Sequence, residues 1–197
     1  MIMAIKAVIF DLDGTLTEPF LDFDVIRDEM GLAPDGEPIL EAMEAMTPVQ
    51  LEHAQDVLRV HEARAVEHSK LHHGAKETID TLRGQGLHVG VLTRNKRENA
   101  LRVATKHALA FDAVLGREDG PAKPDAHGIL SLCRQFSVAP SQTLMVGDYI
   151  HDLQCAQAAG AIGVLMKSHP NAESFEHYAD FTIANLGSIL QIVEEYV

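Results

Sequence analysis

Cysteine is scarce in this chain of 197 residues, which contains only Cys133 and Cys155. Two thiols without metal-type spacing do not indicate a disulfide framework or a zinc site. We therefore expect both to pack in helices as small apolar side chains. No small-residue cleavage site follows the short apolar run that ends at Phe10, so no signal peptide is predicted. Together these absences predict a cytoplasmic protein.

Basic residues are also few: 16 Lys and Arg stand against 29 Asp and Glu, for a formal net charge of −13. Nucleic acids and anionic membrane surfaces repel such a chain, so neither is an expected partner. No apolar stretch approaches the length of a membrane span. Internal repeats and low-complexity tracts are likewise missing. A small anionic substrate remains possible, because a local cluster of cations and metal can attract it.

What the sequence does contain is a regular alternation of short apolar runs and longer amphipathic segments. The chain length fits one domain with a modest insertion. The alternation predicts βαβ units, a parallel sheet with helices on both faces, and hence a doubly wound α/β fold. The predicted strands are 7–10, 89–92, 113–115, 144–146, 162–165 and 181–183, and the predicted helices are 75–83, 96–107, 127–136, 152–159 and 186–196.

One region, from about residue 18 to residue 70, breaks this alternation and shows only helical patterns. The predicted helices there are 24–30, 39–46 and 48–70, and Pro38 and Pro48 stand near two helix starts, where a missing N–H costs little. We expect Met30, Met43 and Met46 to pack inside this region. The sequence therefore predicts an all-helical insertion, residues 18–74, in a core made of residues 1–17 and 75–197.

Two carboxylates, Asp11 and Asp13, directly follow the first predicted strand and precede the turn-forming Gly14. The carboxyl ends of parallel strands form the edge where open α/β sheets bind ligands. Like charges this close repel, so one is neutralised by a proton or both are satisfied by a cation. The pair alone is also compatible with a solvated turn.

Further polar residues follow the other predicted strands. Thr93 ends the second, Lys123 stands in the loop after the third, and Asp148 and Asp152 follow the fourth. Alone, each has an ordinary structural explanation, such as a helix cap or a solvated loop lysine. The ordered set, with each member at its own strand end, is specific and indicates one composite site.

This order resembles the haloacid dehalogenase-like hydrolase superfamily, in its phosphoglycolate phosphatase-like branch. The resemblance rests on DLDGT at 11–15, on Thr93, on Lys123-Pro124 and on GDYIHD at 147–152. It implies a Rossmann-like three-layer parallel-sheet core with a mobile helical C1 cap inserted after the first strand. Only about thirty residues separate Thr93 from Lys123, which leaves no room for the alternative cap position.

The resemblance also implies a role for each residue. Asp11 would be the nucleophile that forms an aspartyl-phosphate, and Asp13 the general acid and then the base. The residues implied to bind the phosphoryl group are Thr93, Arg94, Asn95 and Lys123. Mg²⁺ is the implied cofactor, and its ligands would be Asp11, the Asp13 backbone carbonyl, Asp148 and Asp152, the last either directly or through water.

The function predicted from these residues is Mg²⁺-dependent hydrolysis of a small soluble phosphate monoester. Phosphoglycolate is the first candidate substrate, by analogy alone. The predicted partner is thus a small phosphorylated metabolite, and the protein is expected to be a monomer or homodimer. A hexose-phosphate mutase on the same scaffold is the main alternative. A dehalogenase, a phosphonatase and a non-catalytic binding protein are weaker ones.

Other cationic residues have weaker functional interpretations. Arg94 and, less strongly, Arg27 could pair with an anionic group of the substrate. Four histidines could share one helix face, although only the last two have metal-binding spacing, so a solvated face is the favoured interpretation. These histidines are His53, His61, His68 and His72.

Overall fold

The structure, a computed structural model, describes residues 4–196 and contains a sheet of six parallel strands. The strand order is β3-β2-β1-β4-β5-β6. The strands are β1 (Ala7–Phe10), β2 (His88–Leu92), β3 (Ala113–Leu115), β4 (Thr143–Gly147), β5 (Ile162–Met166) and β6 (Phe181–Ile183). All six predicted strands are confirmed, with ends that differ by one residue at most.

The central strand β1 is buried along its whole length. It pairs with β2 on one side and β4 on the other, and Phe10 lies opposite both Val91 and Val146. A strand covered on both faces needs a continuous apolar run, which Ala-Val-Ile-Phe supplies. Because the chain moves outward from β1 in one direction and from β4 in the other, the strand order reverses between them. Ligands bind at this point in open α/β sheets.

Helices flank the sheet, which confirms the predicted Rossmann-like α/β class. Beneath them Ile9, Met145, Leu132 and Phe136 belong to one buried apolar cluster. The helices outside the insertion are α4 (Ala75–Gly84), α5 (Arg97–His107), α6 (His127–Phe136), α7 (Ile150–Ala159), α8 (Ala172–Phe175) and α9 (Ser188–Glu195). Cys133 in α6 and Cys155 in α7 are buried free thiols, as expected.

Residues Phe20–His68 form a separate compact unit with its own small core. Its helices are α1 (Phe23–Glu29), α2 (Ile39–Glu44) and α3 (Pro48–His68). Met30, Met43 and Met46 pack with buried residues that include Ile26 and Leu58, which confirms the expected role of the methionines. This unit therefore has an apolar core independent of the sheet. No helix among residues 4–196 is long and apolar enough to cross a membrane.

Arg27 belongs to the structure of this unit. Its Nε and Nη2 donate to the Ala33 carbonyl at 2.8 and 2.6 Å, and its Nη1 donates to the Glu37 carbonyl at 2.8 Å. The side chain is buried, and all three nitrogens have backbone partners. The weaker interpretation of Arg27, a contact with an anionic substrate, does not hold, because the guanidinium binds the connection between α1 and α2.

Candidate active site

The loop after β1 forms a tight turn at the carboxyl edge of the sheet. The Asp11 N–H continues the ladder by donating to the Val146 carbonyl at 2.8 Å, and the Leu12 carbonyl accepts from the backbone N–H of Thr17 at 3.0 Å. Gly14 has φ +90°, and a Cβ there would lie 2.4 Å from Asp148 Oδ2. Only glycine permits both this backbone conformation and the close approach of the Asp148 carboxylate.

Three buried carboxylates converge at this edge. Asp11, Asp148 and Asp152 each offer one oxygen, and these oxygens lie within 4.8 Å of one another. Lys123 lies among them, with Nζ 2.5 Å from Asp11 Oδ1 and 2.6 Å from Asp152 Oδ1. The structure thus brings together four of the predicted residues from three different loops and one helix.

The cluster has more negative charge than its one ammonium group can balance. Burial raises the pKa of Asp11 well above its ordinary value, although the Lys123 charge opposes the shift. Burial, and then the charge of Asp152, raise the pKa of Asp148 to about 7. Burial disfavours the charged form of Lys123, but Asp11 and Asp152 outweigh it and the pKa is raised. An added cation would therefore stabilise the ionised carboxylates.

The donor set fits Mg²⁺. Carboxylate oxygens at this spacing are the hard ligands that Mg²⁺ prefers, and three carboxylates beside one ammonium leave charge for a divalent ion to neutralise. The orientation of two of the carboxylates is fixed. Thr15 Oγ1 donates to Asp148 Oδ1 at 3.1 Å, and the Tyr149 N–H donates to Asp152 Oδ2 at 3.1 Å. A Cβ on Gly147 would lie 2.1 Å from the Asp152 carboxyl carbon, so position 147 also requires a glycine.

Thr93 lies buried at the end of β2, and its Oγ1 accepts from the Asn95 N–H at 3.0 Å. Since that oxygen accepts from the backbone, the hydroxyl hydrogen is left to donate elsewhere. Arg94 Nη1 donates to the Lys123 carbonyl. Arg94 thus connects the loop after β2 to the segment that carries Lys123, whose peptide bond with Pro124 is cis.

Asn95 does not lie free beside the cluster. Its Nδ2 donates to Asp13 Oδ2 at 3.0 Å. Burial raises the pKa of Asp13, while the hydrogen bond from Asn95 and then the charge of Lys123 lower it, with a net upward shift. Asp13 therefore has a tendency to hold a proton, and Asn95 touches the group that would hold it.

Three supporting contacts were missed by the sequence reasoning. Thr15 donates to Asp148, Ser168 Oγ donates to the Gly14 carbonyl at 2.6 Å, and Cys155 Sγ donates to the Asp125 carbonyl at 3.0 Å. Thr15 could have been found from its place in the DLDGT motif. Nothing local marks Ser168 or Cys155, because both contacts join segments distant in the sequence. Burial raises the pKa of the Cys155 thiol to about 12, which disfavours the reactive thiolate form.

Three of the four helix-face histidines have partners inside the insertion, and the fourth, His72, lies beyond the end of α3 at His68, so the four do not share one helix face. His53 Nε2 lies 2.9 Å from the Glu29 carbonyl, His61 Nε2 lies 2.9 Å from Glu29 Oε2, and His68 stacks on Phe20. Across residues 4–196, the one His, Cys, Asp and Glu grouping with metal-binding geometry is the aspartate cluster. The contacts of His53, His61 and His68 thus lie with neighbouring residues of the insertion.

Comparisons with known proteins agree with this geometry. The family model of the haloacid dehalogenase-like hydrolases matches residues 36–165, a range that contains Thr93, Lys123 and the aspartates after β4. A putative pyrophosphatase of Clostridium perfringens is 29% identical over 97% of this chain and 98% of its own. A phosphoglycolate phosphatase of Chromobacterium violaceum is 24% identical over 96% and 97%.

A crystal structure of a hydrolase from Pseudomonas syringae shares the fold, with a TM-score of 0.80 and 22% identity over 96% of this chain and 98% of that one. At this identity the likeness concerns the fold alone. The family model covers well over half of the chain. The chain therefore belongs to the haloacid dehalogenase-like hydrolase family.

Proposed function

We propose that this hydrolase is a phosphatase that cleaves a small phosphate monoester with the help of Mg²⁺. The observation that carries the proposal is the position of Lys123, whose Nζ bridges Asp11 and Asp152 inside the buried carboxylate cluster. A buried carboxylate beside one fixed cation and an oxygen-rich cation site is the arrangement that phosphoryl transfer requires, because the reaction depends on positioning and charge stabilisation.

Asp11 is the proposed nucleophile. Its Oδ1 is held by Lys123, and its backbone is fixed by the ladder to β4. Attack of the carboxylate on phosphorus forms an aspartyl-phosphate and releases the alcohol, and water then hydrolyses that intermediate. Splitting one displacement into two lets the same fixed charges stabilise both steps.

Asp13 is the proposed general acid in the first step and base in the second. An acid must hold a proton before it can give one, and burial raises the pKa of Asp13 in that direction. Asp13 follows the nucleophile by two residues in the same turn, so both groups serve one reacting centre.

The residues proposed to hold Mg²⁺ are Asp11, Asp148 and Asp152, together with the backbone carbonyl of Asp13. When bound, the ion supplies charge neutralisation to the phosphoryl oxygens and to the crowded carboxylates. Thr93 and Lys123 are the proposed phosphate ligands, the first through its free hydroxyl hydrogen and the second through its ammonium group. The backbone N–H of Arg94 completes this set.

The substrate is proposed by analogy with the relatives. Phosphoglycolate, a phosphate monoester, is the first candidate. Inorganic pyrophosphate, a phosphoanhydride, is the alternative outside the monoester class, because the putative pyrophosphatase matches this chain over nearly its full length. Both are small anions with a terminal phosphoryl group. The proposed metal and phosphate ligands act on the transferred phosphoryl group, so they do not select between an alcohol and a phosphate as the leaving group.

Release of inorganic phosphate tests the proposal. The purified protein is incubated with 4-nitrophenyl phosphate, phosphoglycolate, pyrophosphate and hexose phosphates, with Mg²⁺ or with EDTA. We expect phosphate release that requires Mg²⁺ and is fastest for one of the two small candidates. Interconversion of hexose phosphates without phosphate release would indicate a mutase. No turnover with any divalent metal would support a non-catalytic role and contradict the proposal.

A further inference from the structure

The side chain of Asn95 lies in the loop between β2 and α5, with only 6% of the residue exposed. Its Nδ2 donates to Asp13 Oδ2 at 3.0 Å. The sequence predicted that Asn95 would bind the phosphoryl group. In the structure its amide instead contacts the carboxylate to which the proposed function assigns proton transfer.

Two further hydrogen bonds determine which end of the amide faces Asp13. Asn95 Oδ1 accepts from the Lys96 backbone N–H at 2.7 Å and from Asn99 Nδ2 at 2.9 Å. A flipped amide would direct its NH₂ group at the Lys96 N–H, which can only donate, and its oxygen at an Asp13 carboxylate oxygen. The observed orientation satisfies both of these contacts, and the Asn99 side chain, itself an amide, is placed in agreement with it.

The backbone of Asn95 is fixed on both sides as well. Its N–H donates to Thr93 Oγ1 at 3.0 Å, and its carbonyl accepts from the Arg117 N–H at 3.0 Å. Asn99, which holds the amide oxygen, is buried in α5. The Nδ2 group that faces Asp13 is therefore held by contacts with the end of β2, with α5 and with the segment after β3, and these contacts restrict its movement.

We propose that Asn95 is a positioning residue: by donating to Oδ2 it fixes the rotation of the Asp13 carboxylate and reserves Oδ1 for the transferred proton. This inference rests on the proposed phosphatase function. An NH₂ group donates and does not accept, and in a protonated carboxyl the carbonyl oxygen is a better acceptor than the hydroxyl oxygen. A proton on Oδ1 therefore preserves the contact between Asn95 Nδ2 and Oδ2 best.

The two steps then use one oxygen. In the first, Asp11 attacks phosphorus, the bond from phosphorus to the leaving oxygen breaks, and the Oδ1 proton moves to that oxygen to give the alcohol. In the second, Oδ1 takes a proton from the water that attacks phosphorus, and the bond from phosphorus to Asp11 breaks. The products are inorganic phosphate, a free Asp11 carboxylate and a reprotonated Asp13.

The test compares two esters that differ in their need for an acid. Alkyl phosphates such as glycerol phosphate leave poorly without a proton, whereas the 4-nitrophenolate ion leaves readily. For Asn95→Ala we expect kcat to fall about 10- to 100-fold on the alkyl ester and less than about threefold on the aryl ester, with KM within about twofold.

A second variant acts without touching Asp13. Asn99→Asp replaces the donor to Asn95 Oδ1 with an acceptor of the same shape, which favours the flipped amide and turns its oxygen toward Asp13. We expect the same dependence on the leaving group, with a smaller loss. Lys96→Ala is the matched control, because its side chain is exposed and its backbone N–H remains, so both rates should stay at the wild-type level.

Each remaining outcome has a defined meaning. Equal losses on the two esters would make Asn95 a structural residue and overturn the proposal. A raised KM with unchanged kcat would restore the predicted phosphate contact and also overturn it. Wild-type protein that cleaves neither ester would contradict the proposed function itself, before any variant is made. If circular dichroism shows Asn95→Ala to be unfolded, the result for Asn99→Asp decides.

Discussion

The two ends of the same parallel sheet hold carboxylates in opposite electrostatic situations. At the carboxyl end, three aspartates share one lysine, and burial raises the pKa of Asp11 and Asp148. At the amino end of β2, Asp112 accepts from the Val89 N–H at 2.8 Å and from Arg83 at 2.9 Å. Burial there raises the pKa of Asp112, but the Val89 and Arg83 contacts outweigh it and the pKa is lowered.

The difference shows which carboxylates contribute to stability and which are available for chemistry. Asp112 has matched donors, and it lines an open surface depression of about 510 Å³ together with Asp80 and His88. The carboxyl end keeps excess charge that the protein alone does not neutralise. Such uncompensated groups reduce stability unless a ligand or an ion completes the site.

The largest expected effect is that of Asp11→Asn. We expect kcat to fall on the order of 10⁴-fold, because an amide does not act as the nucleophile. The melting temperature should change little, since the variant also removes one of three crowded charges. Phosphate release and thermal denaturation measure the two properties. Near-wild-type kcat would remove Asp11 from its proposed role.

Lys123→Met should lower both the activity and the stability of the protein. Activity should fall about 10²- to 10³-fold, since a fixed charge at the reacting centre is lost. Breaking a buried ion pair should lower the free energy of unfolding by about 3–5 kcal/mol. We expect added Mg²⁺ to restore part of this stability, because a cation can replace the missing charge. Urea titrations with Mg²⁺ and with EDTA measure it, and identical stability in the two buffers would contradict a cation site here.

The smallest effect on stability and activity is expected for Asp112, at the amino end of the sheet. Asp112→Asn should lower the free energy of unfolding by about 1 kcal/mol near pH 7, by weakening the charge-assisted bonds from Arg83 and Val89, and should leave kcat unchanged. The pKa of Asp112 is lowered on folding, so its contribution is present above the unfolded pKa of about 3.9 and is lost as the pH falls through the folded value.

Urea titrations between pH 3 and 7 measure this difference, which should shrink toward the acid end. Asp80→Asn is the matched control, because Asp80 pairs with Lys76 on an exposed helix face at 2.7 Å. Its effect should stay below about 0.5 kcal/mol at every pH. A constant difference for Asp112→Asn across the range would show that the charge of Asp112 is not what stabilises the amino end.

The strands and most helices followed from local pattern because they depend on short-range periodicity. The run 7–10 is apolar without interruption, and only a strand buried on both faces accepts such a run. Helix α8 was not predicted because its four residues, Ala172–Phe175, are too few to show a helical periodicity in the sequence. Helix α9 begins at Ser188, two residues after the predicted start, since propensity locates helix ends poorly.

By itself, the sequence determined the α/β class, the helical nature of the insertion and which polar residues stand at the strand ends, because each depends on neighbours along the chain. Only the tertiary structure decided what those residues touch. Arg27 binds backbone carbonyls of its own loop, and Asn95 binds Asp13 because Asn99, four residues onward in α5, takes its amide oxygen. The hydrogen-bond partners of these side chains depend on distances between segments far apart in the chain, and a local sequence pattern does not predict those distances.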